Sequence, residues 1–168
     1  MKPNNANNSK VFMTEIVLPN DTNPLGILLG GRLLNWMDIA AAICAQNHAA
    51  HIAVTAAIDS ISFSHPIKIG NIAYIKAQIT RVFNTSMEIY VQVWKKEISS
   101  KKRQKTNEAF FTFVALDHKG HPVQIKQVFP KSKKAQLLYV TALERRKNRI
   151  TNKKVKKNDD KKIVGGTL

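Results

Sequence analysis

An aspartate stands in the middle of an otherwise apolar segment, TNPLGILLGGRLLNWMDIAAAICAQNHA, which covers residues 22–49. Between Leu33 and Ala45 only Asn35 and Asp38 are polar. A buried carboxylate is costly unless it is paired or takes up a proton, so its presence needs a reason. Two interpretations stay open. Asp38 is a partial cap or a polar contact between subunits, or it faces a cleft, where it activates water or attacks an electrophile.

A pair of glycines, Gly30 and Gly31, precedes the most apolar part of this segment, Leu33–Ala45. The pair can serve simply as a tight turn into a helix. Two glycines also leave the first amide N–H groups of that helix bare, and such a terminus suits a developing negative charge. Other catalytic motifs are missing from the sequence, which has no GxSxG elbow, Walker loop, HExxH or cysteine pair. His48 and His51 form only an HxxH spacing, a weak signal with no nearby Glu, so we expect no metal.

The composition indicates one domain without a membrane span. A chain of 168 residues with 43% hydrophobic content can bury a sizeable core. No apolar run reaches the roughly 18 uncharged residues that a membrane span needs, and MKPNNANNSK lacks the apolar segment of a secretory signal. The single cysteine, Cys44, fits a reducing compartment. We therefore expect a cytoplasmic protein with no membrane partner.

The net charge of +16 is concentrated in the second half of the chain. Residues 1–94 hold six Lys/Arg against five Asp/Glu, whereas residues 95–168 hold twenty-one against six. Two interpretations of this basicity stay open: a solvated tail, or a surface that seeks phosphate on RNA or on a phosphorylated ligand.

The remaining pattern predicts one central helix and several strands. A helix that is apolar all round from about Gly30 to His48 is typical of burial. Strands are predicted over residues 11–18, 52–63, 72–83, 87–94 and 108–116, separated by turn formers. This order predicts an α+β fold with an antiparallel sheet around a single helix. Because one sheet that encloses the helix leaves Asp38 no cleft, a second subunit is expected to supply it.

Three regions are predicted along the chain: a flexible N-terminus over 1–10, a domain over 11–150 that ends in a short C-terminal helix, and a basic tail over 151–168. The tail has few apolar residues to bury, so we expect it to be disordered.

Four motifs, in order and at matching spacing, give the chain a family resemblance over about residues 11–150. The segment TNPLGILLGGRLLNWMDIAAAICA resembles the N-x-x-G-x-x-x-G-G-x-x-x-x-x-x-D pattern of hot-dog-fold acyl-CoA thioesterases. SFSHPIKIGN is similar to the family's F-x-x-P-x-x-x-G-D segment, and FNTSMEIYVQVW and AFFTFVALDHKGHP continue the likeness. The end, ALERRKNRI, looks most like cytosolic acyl-CoA and acetyl-CoA hydrolases with tandem domains, and the core also resembles short bacterial acyl-CoA thioesterases.

The resemblance implies a hot-dog fold and hydrolysis of acyl-CoA to free CoA and a carboxylate, at a site between two subunits. It assigns Asp38 as general base or nucleophile, Asn23 as the residue that orients water or the thioester from the facing subunit, and Gly31 as an amide donor to the thioester oxygen, with Gly30 beside it. The minimal unit would be a homodimer, assembled further into a tetramer or hexamer.

The resemblance also implies a set of CoA-binding residues: Ala56, Ala57, Ile58, Thr85, Ser86, Met87, Arg145, Arg146 and Lys147. Extended backbone can pair with the pantetheine amides, and Arg and Lys favour phosphate. No cofactor is expected, because CoA is part of substrate and product.

The sequence departs from the family at three positions. Asn71 replaces a usual acidic residue, and Leu25 and Leu29 stand where relatives often carry polar or aromatic residues, so the acyl chain length is left open.

Three alternative functions make different predictions about the sequence. A thioesterase for acyl carrier protein keeps the same fold. A hydratase would need a histidine with Asp38, and the helix motif holds none. A basic-tailed RNA-binding protein would show salt-sensitive affinity that is lost with residues 150–168, but the core lacks an aromatic-rich basic sheet face, so nucleic acid is not the expected partner.

Overall fold

The computed structural model describes residues 4–5 and 10–164, with side chains described for 10–152. It contains seven strands and two helices in chain order. Their bounds are β1 Asn4–Asn5, β2 Lys10–Ile16, α1 Gly30–Ala49, β3 Ile52–Phe63, β4 Ile72–Val82, β5 Ser86–Lys96, β6 Gln104–Leu116, β7 Val128–Phe129 and α2 Lys133–Val164. A 3-10 turn, Pro19–Asp21, lies between β2 and α1.

Five strands form one antiparallel sheet in the order β2-β4-β5-β6-β3, and α1 packs across it. The strands alternate, so that Ile75, Ala77 and Ile79 of β4 are buried on the side of α1. We call this side of the sheet the concave face and the opposite side the convex face. The predicted α+β hot-dog fold, a sheet around one long helix, is confirmed. Among the described residues no helix is long and apolar enough to cross a membrane.

The sequence of α1 suits close packing on the sheet. Ala40, Ala41, Cys44 and Ala45 are fully buried, and their small side chains let the helix approach the strands closely. The helix ends at Ala49, and the next residue, Ala50, adopts a left-handed conformation (φ 53°) and donates its amide N–H to the Gln46 carbonyl.

The prediction that α1 is buried on all sides is wrong for a single chain. Ile39 is 41% exposed and Ile43 is 43% exposed, and Asp38 beside them is only half-buried. One sheet can cover only one side of a helix, so the apolar residues on the other side remain open. They form an apolar face of α1 that a single chain does not cover.

The structure also differs from the prediction at both ends. Asn4–Asn5 form β1, which pairs in parallel with β7, where a flexible N-terminus was predicted. Helix α2 continues to Val164, where disorder was predicted from residue 151. Residues 151–164 contain no glycine or proline, so nothing in them breaks a helix before Gly165. Residues 1–3, 6–9 and 165–168 lie outside the described residues.

Helix α2 covers part of the convex face through arginines. Arg145 pairs with Glu88 of β5, a residue with no exposed surface, through Nε–Oε2 and Nη2–Oε1 distances of 3.0 and 2.8 Å. Arg149 pairs with Asp59 of β3 at 2.5 Å. These ion pairs fix α2 across strands that are far apart in sequence.

Candidate active site

Asp38 is held by a hydrogen bond from a strand. The Thr55 hydroxyl of β3 donates to Asp38 Oδ1 at 2.7 Å, and Thr55 is solvent-exposed in the single chain. The β3–β6 register places Thr55 opposite the buried Phe113, on the concave face, which is why it reaches α1. Asp38 Oδ2 makes no hydrogen bond to any residue that the structure describes. The carboxylate is therefore oriented through Oδ1, is partly solvated, and has its Oδ2 available to water or a ligand.

Thr55 was missed by the sequence analysis. It lies 17 positions after Asp38, so no local pattern joins the two. The available signal was a hydroxyl residue in the middle of an otherwise apolar strand segment, IAVTAAI, next to the predicted Ala56.

Asn23 shapes the loop that precedes α1. Its Oδ1 accepts hydrogen bonds from the backbone N–H groups of Leu25 and Ile27 at 3.0 and 3.1 Å. This uses the side-chain oxygen inside the loop and leaves the Nδ2 group as a donor. The structure does not join Asn23 to Asp38 by a hydrogen bond among the described residues of one chain, so the two predicted residues are not brought together here.

An ion pair between a buried carboxylate and a half-exposed arginine fastens the same loop to the first turn of α1. Asp21, only 4% exposed, accepts from Arg32 Nε at 2.7 Å through Oδ1 and from the Leu18 amide at 3.0 Å through Oδ2. The Arg32 guanidinium also lies 5.5 Å from the centre of the Trp36 ring. The loop and the helix start are thus held in one geometry.

The start of α1 presents uncapped amides, as the glycine pair predicted. Leu29 is the N-cap residue, and no side chain caps the helix. A Cβ on Gly30 would meet the Phe63 ring at 3.4 Å, so glycine permits the close approach of β3 there. A Cβ on Gly31 would meet no atom within 4 Å in the single chain. The amides at this end are therefore available to an oxyanion.

A cavity of about 200 Å³ opens beside Gly30. Its wall is mostly apolar and includes Ile27, Leu28, Leu33, Phe63 and Ile67. The buried Asn107 also lines it and donates from Nδ2 to the Ser62 carbonyl at 3.0 Å. The cavity lies against the helix start and could take an apolar group bonded to a reacting carbonyl.

The predicted residues Ala56, Ala57 and Ile58 lie on β3, the edge strand of the sheet. A bulge between Thr55 and Ala57 leaves Ala56 without a partner residue on β6. The outer edge of β3 pairs with no strand in the described part of the chain, so its backbone groups are open to the amides of a ligand or to a second chain.

The predicted residues Thr85, Ser86 and Met87 lie at the start of β5. Met87 is opposite Phe113 of β6, which is opposite Thr55 of β3, so they share a row across the sheet, about 10 Å from end to end. Thr85 and Ser86 are part-exposed, whereas Met87 has no exposed surface. Its side chain belongs to the core, so only its backbone is left for the predicted contact with CoA, which stays a prediction.

The three basic residues predicted to bind phosphate differ in the structure. Arg145 is engaged by the buried Glu88, so its predicted phosphate contact does not fit. Arg146 lies 4.2 Å from the centre of the Phe83 ring, next to the start of β5, and is part-exposed. Lys147 is exposed. Arg146 and Lys147 therefore stay candidates for phosphate binding.

No cluster of three or more His, Cys, Asp or Glu that could hold a metal occurs among the residues that the structure describes. The structure places an oriented carboxylate on α1, and it places uncapped amides and an apolar cavity at the start of the same helix, about 10 Å away along its axis.

Comparison with known proteins agrees with this geometry. The model of the thioesterase superfamily matches residues 25–101. The chain is 39% identical to mouse acyl-coenzyme A thioesterase 11 over 86% of its length, and spans only 24% of that relative. It is 38% identical to an uncharacterised acyl-CoA thioester hydrolase of Bacillus subtilis, with 84% of each chain covered.

Among solved structures, an acyl-CoA hydrolase from Staphylococcus aureus, solved with butyryl-CoA and CoA, superposes with a TM-score of 0.89. The two chains are 32% identical, and the match covers 96% of this chain and 98% of the other. The fold, the motif residues and these relatives agree: the chain belongs to the acyl-CoA thioester hydrolases of the thioesterase superfamily.

Proposed function

We propose that the protein hydrolyses acyl-CoA thioesters to free CoA and a carboxylate. The observation that carries this is the Asp38 carboxylate, held by Thr55 on the face of α1 that also begins with uncapped amides. A thioester needs a nucleophile or a base on one side of its carbonyl and donors on the other. Asp38 lies seven residues, about 10 Å, beyond Gly31 along α1, so in this proposal the carboxylate of one protomer acts together with the helix start of the other.

In the general-base route, Asp38 takes a proton from water as the water oxygen attacks the thioester carbon. The amides of Gly30 and Gly31 stabilise the resulting oxyanion. The tetrahedral intermediate then expels the CoA thiolate, which takes up the proton. In the nucleophilic route, Asp38 attacks the carbon itself, and the C–S bond breaks to release the CoA thiolate and leave a mixed anhydride. Water then hydrolyses the anhydride to the free carboxylate and regenerated Asp38, and the proton that this releases goes to the thiolate.

A homodimer is the minimal active unit in this proposal. The apolar face of α1 with Ile39 and Ile43, and the unpaired edge of β3, both lie beside Asp38 and are open in one chain. A second copy would cover them and would bring its Asn23 Nδ2 donor toward the thioester. A solved hexameric acyl-CoA thioesterase, 36% identical with a TM-score of 0.87, supports further assembly.

Variants of the Staphylococcus aureus hydrolase support the assignment of residues. Its solved structures include alanine variants of one asparagine, one aspartate and one threonine. These three stand at the same spacing along that chain as Asn23, Asp38 and Thr55 stand here.

The substrate parts have separate places in the proposal. The acyl group enters the apolar cavity beside Gly30, and the pantetheine runs along the β3 edge at Ala56–Ile58. The phosphates lie toward Arg146 and Lys147, beside Thr85 and Ser86. We further propose that the reaction needs no cofactor and takes place in the cytoplasm, where the single buried thiol of Cys44 suits a reducing medium.

The test is a thiol-release assay on the full chain across acyl-CoA esters of increasing length, with and without a chelator, and with an acylated carrier protein in parallel. We expect CoA release well above the rate in buffer, unchanged by the chelator. Release from the carrier protein alone would contradict the proposal, and so would release no faster than in buffer.

A further inference from the structure

A second cavity, of about 340 Å³, lies on the convex face beside the start of α2. Lys76 and Gln78 of β4 and Tyr90 and Gln92 of β5 line its floor. These residues alternate with the core residues that pack against α1, so the cavity lies on the opposite side of the sheet from Asp38. We call it the convex-face pocket.

Positive charge converges on the convex-face pocket. Four lysines line it, Lys10, Lys76, Lys131 and Lys134, and no Asp or Glu is among its described lining residues. The pKa of Lys76 is lowered, first by burial and then by the charges of Lys10 and Lys134. The lysines are thus close enough to repel one another, an arrangement that a bound anion would relieve.

The start of α2 adds to this charge. Ser132 and Ala135 line the pocket, and the Ser132 hydroxyl oxygen accepts from the Ala135 amide at 3.2 Å. The first turn holds no acidic residue, although the positive end of a helix favours one. Lys134 stands there instead, so the local charge is unfavourable without a counter-anion.

A buried side chain without a partner also lines the pocket. Gln92 is only 7% exposed, and its carboxamide makes no hydrogen bond to the described residues. The amide is not enclosed in the core but reaches solvent through the pocket, so it is free to donate to a ligand there. Glu108 of β6 is paired with Lys105 at 2.5 Å and hydrogen-bonded by Tyr90; its charge acts on Lys134, but the two form no ion pair.

We propose that the convex-face pocket binds a small, highly charged phosphate anion at a site separate from the catalytic one. The pocket volume fits a small ligand, and its ammonium and amide donors match phosphate oxygens. Arg146 lies twelve residues beyond Lys134 on α2, about 18 Å along the helix. The pocket is therefore distinct from the phosphate site proposed for CoA.

Calorimetric titration of the full chain with inorganic tripolyphosphate tests this site. Lys76→Gln combined with Lys134→Gln is expected to weaken binding at least about tenfold. Gln92→Leu, which keeps the charge and nearly keeps the volume, is expected to weaken it at least about threefold. The matched control, Lys101→Gln with Lys102→Gln in the exposed β5–β6 loop, should change it less than about twofold.

Three results would overturn the proposal. If the control pair weakens binding as much as the pocket pair, or if no binding is measured, the pocket is not a built anion site. If saturating CoA displaces tripolyphosphate, the pocket is where the phosphates of the substrate bind and is not a separate site. If tripolyphosphate binds with unchanged affinity in the presence of CoA, the proposal of a separate site is supported. Circular dichroism checks that each variant is folded.

Discussion

At the scale of single residues, the hydrogen bond from Thr55 gives Asp38 a fixed direction. A carboxylate with two free oxygens can rotate, whereas a threonine on a strand holds one oxygen and leaves the other toward the open face of α1. Asp38, Asn23 and the glycine pair could be predicted because they lie within one short motif. Thr55 could not, because folding alone brings it to Asp38.

Removing the Thr55 hydroxyl while keeping its shape tests this role. Thr55→Val is expected to lower kcat on the order of tenfold with little change in KM, because the carboxylate stays but loses its orientation. Thr14→Val on the exposed side of β2 is the control and should keep wild-type rates. Steady-state thiol release measures both, and an unchanged kcat for Thr55→Val would remove Thr55 from the mechanism.

The thiol of Cys44, the single cysteine of the protein, should not react with thiol reagents while the protein is folded. Burial raises the pKa of Cys44 to about 12, so the thiol stays protonated at pH 8, and reaction needs the thiolate. We expect a disulfide reagent to label less than a tenth of the native protein in the time that labels all of it in denaturant. Rapid labelling of native protein at pH 8 would contradict the burial of Cys44.

At the scale of elements, α2 shows why basic residues alone did not identify a phosphate site. In sequence, Arg145, Arg146 and Lys147 look equivalent. In the structure, the two-pronged pair with Glu88 takes Arg145 out of solvent, and only the tertiary fold reveals that partner. The position of α1 across the sheet, in contrast, could be predicted from its apolar residues, because helices of this composition pack against strands.

Loss of Arg145 should destabilise the fold. Arg145→Met leaves the Glu88 carboxylate buried and unpaired, which is expected to lower the free energy of unfolding by about 3 kcal/mol. The double variant Glu88→Leu, Arg145→Met removes both charges and should lose less stability than the single one. Urea unfolding measures each, with the exposed Lys147→Met as control. A single variant as stable as the control would refute the structural role of Arg145.

At the scale of the whole molecule, the exposed apolar face of α1 and the free edge of β3 describe a protomer that is incomplete alone. The periodicity of α1 predicted burial on all sides, and the single chain buries one side only. The sequence pattern reflects burial in the assembly that we propose, which a fold of one chain cannot display.

Charging this face should separate the subunits. Ile43→Lys is expected to leave each protomer folded, because Ile43 is 43% exposed there, but to shift the protein to monomers and abolish turnover. Ile98→Lys, at an 80% exposed loop position, is the control. Light scattering after size exclusion measures the mass. An Ile43→Lys variant that is as oligomeric and as active as the control would contradict the proposed interface.

The central claim is that the Asp38 carboxylate performs the chemistry, and its replacement by a carboxamide is the most direct measurement. Asp38→Asn keeps the shape of the side chain but cannot take a proton or attack a carbonyl carbon. We predict that kcat for acyl-CoA hydrolysis falls at least about a thousandfold, while unfolding by urea stays within about 1 kcal/mol of wild type. Glu97→Gln, an exposed carboxylate replaced in the same way, should retain full activity. An Asp38→Asn protein that releases CoA at the wild-type rate would contradict the claim.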